Sequence, residues 1–345
     1  MLSHLTFPRF HVPHPQLPLL HQHIADWYST HARTLPWREE SASAWGVMVS
    51  EFMLQQTPVV RVLPVWEAWM ERWPTPADLA AEPVSEAVRA WGRLGYPRRA
   101  LRLHAAAVVI TEQHGGQVPG TEAELLALPG VGTYTAAAIA CFAFGVPTVV
   151  VDTNIRRVHA RLVSGKALPE QNQNAAELAL AARLMPESDP ENAAGVALAN
   201  TWNIGVMELG ALVCTARSPR CEDCPVIDQC AWIAAGRPEP HYVPKGQPWH
   251  GTDRQVRGAM MAVLRHSPDP VNRDDLLGAP DLAALAALAS EPRIAVSARQ
   301  GDPAHEAWVT LHALPALAEQ RERALDSLLA DGLAQQGATG ISLPH

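Results

Sequence analysis

The chain is predicted to be all-α, on three observations. Apolar residues recur at helical spacing in nearly every segment up to residue 236, no segment there alternates convincingly between apolar and polar, and the breaks are proline- and glycine-rich. Leu17, Leu20, Ile24 and Trp27 mark the first amphipathic helix, over 17–31. Patterns at 45–56, 60–72, 84–91 and 97–113 continue it, with joints at Pro74–Pro76 and Pro119–Gly120. Helices are predicted next at 122–128, 133–144, 153–163, 174–184 and 193–210, while Val149–Val151 is too short to matter as a strand. A joint from Gly236 to Pro248 leads to helix patterns at 253–265, 272–277 and 319–332, then a short, mostly polar tail from Leu333 to Leu343. The division expected is a disordered arm rich in His and Pro (1–16), a helical body (17–236), a linker (237–248) and an accessory region (249–345).

With 345 residues and 48% hydrophobic composition, the chain can bury one large core or two moderate ones. A net charge of -8 and a pI near 6.0 argue against coating nucleic acid through bulk charge. Any polyanion site must be local. Residues 87–111 carry Arg89, Arg93, Arg98, Arg99 and Arg102 without an acid, and 153–166 carry Arg156, Arg157, Arg161 and Lys166 likewise. Each stretch is either such a site or an ordinary solvated helix face. The longest apolar run, Thr135 to Val151, is broken by Gly145 and Pro147 and reads as a buried helix and a turn. With no apolar signal core, a soluble, cytoplasmic, monomeric protein with no membrane partner is expected.

Four of the five cysteines, Cys214, Cys221, Cys224 and Cys230, are spaced C-x6-C-x2-C-x5-C. Thiolates this close enclose one metal centre at little loop-closure cost. Zinc sites usually show two short knuckles, and only Cys221–Cys224 is short here. A [4Fe–4S] cluster is wider and accepts unequal loops. The spacing therefore favours the cluster over zinc, and zinc over disulfides, which want an oxidising compartment. Arg217 and Arg220 make the loop basic, which suggests a second role on a polyanion. Cys141, in Ala140-Cys141-Phe142, reads as a small core residue, and Trp66, Trp69, Trp73 and Trp91 as core rather than base-stacking residues.

Leu128-Pro129-Gly130-Val131-Gly132-Thr133 joins two predicted helices. Gly130 and Gly132 permit a tight turn, and the N–H groups at the following helix start suit a phosphate. Glu51 lies in a helix apolar on nearly all sides; desolvation there raises a carboxyl's pKa, as a general acid needs. The alternative is a Glu on one exposed stripe with Ser50 and Gln55. Asp152 precedes the helix bearing Ile155, Val158 and Leu162, where its bland role is an N-cap. A protonated and an ionised carboxyl facing one bond is also what glycosidic cleavage demands.

The hairpin, the aspartate about 20 residues on and the cysteine spacing together resemble the helix-hairpin-helix DNA repair glycosylases, over roughly residues 17–232. Within that superfamily, Ser50-Glu51-Phe52-Met53-Leu54-Gln55-Gln56-Thr57 resembles the signature of MutY-type adenine DNA glycosylases, which carry the Glu where endonuclease III does not. Gly95-Tyr96, Val151-Asp152-Thr153-Asn154 and Arg33-Thr34-Leu35-Pro36-Trp37 match the same family. The resemblance implies that Glu51 protonates adenine, Asp152 stabilises the sugar cation and Asn154 holds the aspartate. It further implies that Gln56 and Tyr96 enter the base stack, with Gln55 beside them at the DNA, and that Arg33 and Trp37 line the adenine pocket. The substrate implied is double-stranded DNA with adenine opposite 8-oxoguanine or guanine. Bifunctional relatives carry a lysine where this chain has Tyr134, so a monofunctional enzyme is implied; packing is the other reading of Tyr134.

Longer members of that family end in a NUDIX-like domain, which residues 249–345 do not resemble. Residues 321–333 read instead like a recognition helix leading into a wing, so the expectation is a small winged-helix-like unit, the alternative a packing appendage. Arg254, Arg257 and Arg265 share a helical spacing that permits phosphate contact without base reading.

Overall fold

Helix-forming apolar periodicity is realised throughout the computed structural model, which describes residues 17–189, 191–244, 246, 248–278 and 302–345. The predicted arm at 1–16 lies outside them. The helices run α1 (Leu17–His31), α2 (Ala44–Leu54), α3 (Val59–Arg72), α4 (Pro76–Ala80), α5 (Val84–Trp91), α6 (Arg98–Gln113), α7 (Glu122–Leu126), α8 (Thr133–Phe144), α9 (Thr153–Leu162), α10 (Ala175–Leu184), α11 (Ala193–Leu212) and α12 (Ala231–Ala234). They continue with α13 (Asp253–His266), α14 (Arg273–Leu277), α15 (Pro303–Ala313) and α16 (Ala318–Ala330), followed by β1 (Gln335–Gln336) and β2 (Ile341–Ser342). Among the described residues no helix is long and apolar enough to cross a membrane.

The chain divides into two compact units that cut across its linear order: residues 1–51, 119–127 and 131–244 form one, and residues 52–118, 128–130 and 245–345 the other. In the first unit α1, α8, α9, α10 and α11 close around Leu20, Ile24, Ala138, Ile155, Val158, Leu180, Trp202 and Val206. Cys141 is part of that core. The hairpin helices α7 and α8 start from different caps. Thr121 accepts a hydrogen bond from the Glu124 N–H at 3.3 Å, whereas α8 starts at Gly132 with no side-chain cap.

The second unit buries Trp69, Trp73 and Trp91, with Trp69 edge-on to both others at 4.9 and 5.7 Å between ring centres. Its C-terminal part has the expected winged-helix character. α13 packs on α15 and α16, and α16 runs into the β1–β2 hairpin, whose Ile341 also pairs with Val271. The mostly polar tail still contributes to the core, since Leu333, Ile341 and Leu343 are buried. Two of the three arginines of α13 are already engaged or buried. Arg257 pairs with Asp331 at 2.6 Å, and Arg265 is largely buried, which pulls its pKa down to about 10. Asp331 also binds Arg98 at 3.1 Å, and the Arg89 guanidinium caps the α13 C-terminus through the carbonyls of Leu264, Arg265 and Ser267.

These ties make a specific expectation for a chain ending near residue 245. Removing the acceptors of a partly buried guanidinium leaves it underpaired, so Tm should fall by roughly 5–10 °C. Thermal melts check this; an unchanged Tm would mean that the region is an independent appendage.

Candidate active site and iron–sulfur loop

Helix α2 is apolar on nearly every face, and Glu51 sits 6% exposed within it. Burial pushes its carboxyl up to about 7; the Asp152 charge adds to the rise, while the Tyr134 hydroxyl and Arg38 oppose it. Tyr134 donates from its hydroxyl to Glu51 Oε2 at 3.0 Å. Its own pKa is driven well above the ordinary value, by burial first and then by Glu51 and Asp152. Tyr134 is thus a direct partner of the carboxyl and also packs against the core of its unit.

Asp152 does cap α9: its Oδ1 accepts from the Ile155 N–H at 2.6 Å. Its other oxygen accepts from Asn154 Nδ2 at 2.8 Å, so the cap and the Asn154 contact coexist. Burial raises the Asp152 pKa, while the Ile155 and Asn154 donors and the Arg157 charge hold the rise in check. Asn154 approaches α11 where Gly210 stands; a Cβ there would lie 2.7 Å from Asn154 Cβ, so no larger residue fits without a shift. Arg157 completes the cluster with bonds to Asn154 Oδ1 at 2.8 Å, the Gly210 carbonyl at 2.7 Å and the Cys214 carbonyl at 2.8 Å.

Arg33 precedes a short turn of 3₁₀ helix at Pro36–Arg38 that contains Trp37, and Trp37 is buried. A residue the sequence reading passed over organises this segment. Glu208, fully buried in α11, takes both Nε and Nη2 of Arg33 at 2.7 Å, the Arg33 N–H at 3.0 Å and Arg38 Nη2 at 3.0 Å. Burial alone would raise the Glu208 pKa, but the two arginines hold it down at about 2. The signal that picked out Glu51, a carboxylate in an apolar helix, was present at Glu208 too.

In the second unit Gln56 and Tyr96 are exposed at loop tips with φ of 57° and 49°, and the Tyr96 hydroxyl donates to Gln56 Oε1 at 2.9 Å. A non-glycine residue in this left-handed region costs about 1–2 kcal/mol, so both tips are held by their surroundings. Gln55, at the α2 end, is partly buried. In the hairpin turn Gly130 has φ +78°, and a Cβ there would strike the Arg102 side chain at 2.5 Å. Gly132 is extended and exposed, with open space where a Cβ would project.

Cys214, Cys221, Cys224 and Cys230 line one cavity of about 30 Å³, closed by Arg161, Trp232 and apolar side chains. No disulfide links them. Among the described residues no three His, Cys, Asp or Glu side chains converge closely enough to hold a single metal ion. Four cysteine thiols gathered on one cavity match the all-cysteine donor set of a [4Fe–4S] cluster. Arg161 locks the loop by donating to the carbonyls of Thr215 at 2.7 Å and Ala216 at 3.1 Å. The second basic stretch is therefore largely internal: Arg157 and Arg161 are buried, and Arg156 pairs with Glu177 at 2.7 Å.

Residues 49–182 match the HhH-GPD superfamily of base excision DNA repair proteins, and residues 214–230 match the iron–sulfur binding domain of endonuclease III. The fold and its loop thus define a base excision repair protein of helix-hairpin-helix type with a [4Fe–4S] cluster. An adenine DNA glycosylase of Mycolicibacterium smegmatis is 46% identical over 317 residues, 92% of this chain and 93% of its own. One of Mycobacterium tuberculosis is 44% identical over 332 residues, 94% of each chain. Among solved structures, a thermostable thymine-DNA glycosylase superposes with a TM-score of 0.55 at 27% identity, over 64% of this chain and 98% of that one. The chain belongs to the adenine DNA glycosylases, and its activity is the release of adenine from DNA.

Proposed function

We propose that this glycosylase acts on adenine mispaired with 8-oxoguanine or guanine, and that it cleaves the N-glycosidic bond by hydrolysis without lyase chemistry. The observation that carries the chemical reading is the buried Glu51, poised near neutrality and hydrogen-bonded to Tyr134. Adenine leaves poorly as an anion, so a proton must reach a ring nitrogen as the C1′–N9 bond breaks. Glu51 in its neutral form supplies it. Asp152, anchored by Ile155 and Asn154, turns its negative charge to the oxocarbenium ion that develops on the sugar. Water then takes the place of the base at C1′. The Glu208-clamped segment of Arg33 and Trp37 lines the adenine pocket, and the Gly130–Gly132 turn seats a backbone phosphate. Because the target base lies inside a duplex, it must be extruded, and Gln56 and Tyr96 fill the space it leaves, with Gln55 alongside.

Single-turnover release from A:8-oxoG, A:G and T:G duplexes tests the substrate. Fast release of adenine from the first two and none of thymine from the third is expected. Thymine release at a comparable rate would overturn the reading. Tyr134 bears on the reaction type, since its phenol cannot form a Schiff base as a lysine amine does. Tyr134→Lys should introduce a borohydride-trappable covalent adduct with DNA, provided the buried amine loses its proton. No adduct would count against this position facing the sugar carbon.

A further inference from the structure

Arg99 is 5% exposed, and no carboxylate pairs with it among the described residues. Its guanidinium is spent on backbone and hydroxyl acceptors. Nη1 donates to the carbonyls of Phe52 at 2.9 Å, Met53 at 3.1 Å and Gln55 at 2.6 Å. Nη2 donates to Thr57 Oγ1 and to the Gly95 carbonyl, both at 3.1 Å. Gln55 and Thr57 flank Gln56, and Gly95 immediately precedes Tyr96. The same guanidinium lies over the Tyr96 ring, 5.2 Å from its centre. One side chain therefore grips the backbone on both sides of one left-handed tip and the approach to the other.

We propose that Arg99 is a positioning residue that joins the Gln56 and Tyr96 tips into one preformed wedge, so that neither tip has to be ordered while the base is being extruded. The proposal rests on the reading of Gln56 and Tyr96 as the residues that enter the stack. The chemistry explains why the residue is arginine. Two loops require a planar fork of donors fixed in separate directions, and a lysine ammonium is a single point that satisfies one loop at a time. Desolvation lowers the Arg99 pKa to about 10, still well above neutrality, so the fork keeps its charge, and both Nη atoms are engaged while the buried Nε has no partner. The Tyr96–Gln56 bond then links the two side chains that the fork has already aligned.

The test uses the full-length, iron-loaded protein and two DNA substrates: adenine mispaired with guanine, and the same adenine facing an abasic site, where little pairing or opposite-strand stacking opposes extrusion. Arg99→Lys should slow single-turnover release about 30-fold on the mispair but only about threefold on the abasic-facing adenine. Arg99→Met should show the same split, enlarged; should it fail to fold, the lysine variant carries the test alone. Equal losses on both substrates, or no loss, would overturn the proposal, because a general structural defect slows both alike. Gln56→Ala and Tyr96→Ala run beside it. If they show the split and Arg99→Lys does not, the positioning role alone is wrong. If neither shows it, the stack-filling reading has failed and the proposal with it.

Discussion

Glu51→Gln is expected to lower single-turnover adenine release by about 1,000-fold, the scale of a lost general acid, while leaving duplex binding largely intact. The amide keeps the shape and can donate a hydrogen bond, but it cannot give up a proton. The same substitution should stabilise the fold. A carboxyl whose folded pKa lies at about 7, against 4.5 in the open chain, binds its proton more tightly when folded. Stability is then fully present below pH 4.5, declines as pH rises toward 7 and stays lower by about 3 kcal/mol above it. Gln does not titrate, so the variant should melt higher than the parent at pH 8 and similarly at pH 4.5. Near-normal release by the variant would falsify the general-acid assignment.

The rate should follow the same proton. With Glu51 as the proposed acid, release uses its neutral form, so the rate should fall as pH rises above about 7. On the acid side it falls as Asp152 protonates, at a pH above the usual aspartate range because burial raises its pKa. Tyr134 supplies an internal check on the alkaline limb. Its hydroxyl bonds to the Glu51 carboxylate and so lowers the Glu51 pKa. Tyr134→Phe should therefore shift the alkaline limb to higher pH. A limb that stays in place, measured in single-turnover profiles from pH 5 to 9, would assign it to another group.

Glu51 and Asp152 were legible because each breaks a local pattern, a charge in an apolar helix or an acid at a helix start. Glu208 breaks the pattern of α11 in the same way, yet its partners Arg33 and Arg38 lie 175 and 170 residues away, beyond local reading. The arginines were the harder case. Arg99, Arg157 and Arg161 fell in stretches free of acids and so resembled solvated faces. They are buried because their acceptors are main-chain carbonyls, and every residue carries one, so composition gives no hint of which carbonyl is used. Helix α4 was missed for another reason. Pro74–Pro76 reads as a joint, although Pro76 occupies the first turn and Thr75 with Asp78 makes a capping box. The β1–β2 hairpin has two paired residues per strand, too few to show a period, so the burial of Ile341 and Leu343 was hidden in a polar tail.

Loss of the iron–sulfur loop should produce the other large effect, through contacts that run from Cys214 back toward Asp152. Cys214→Ser removes one of four ligands, and the sample should be pale and iron-poor, fold in lower yield and be cut by protease within residues 214–230. The four cysteines line the cavity, and Cys214, Cys224 and Cys230 also pack against the core of their unit, so a loosened loop exposes apolar surface. Release of adenine should fall with it, by about 10- to 100-fold, as expected when groups supporting a functional side chain lose their partners. The Cys214 carbonyl accepts from Arg157, Arg157 donates to the side-chain Oδ1 of Asn154, and Asn154 Nδ2 donates to Asp152 Oδ2. Freed at one end, this chain of bonds no longer fixes Asp152, the carboxylate proposed to face the sugar cation. Arg157→Gln separates the two consequences. It leaves all four thiols in place, so iron content should stay near that of the parent, while the rate should still drop because Asn154 loses its anchor. Asp152→Asn should fall at least as far with iron unchanged, since an amide carries no charge to set against the cation. A pale Cys214→Ser protein that resists protease and releases adenine at the parental rate would show that neither the fold of the loop nor the posture of Asp152 depends on the cluster.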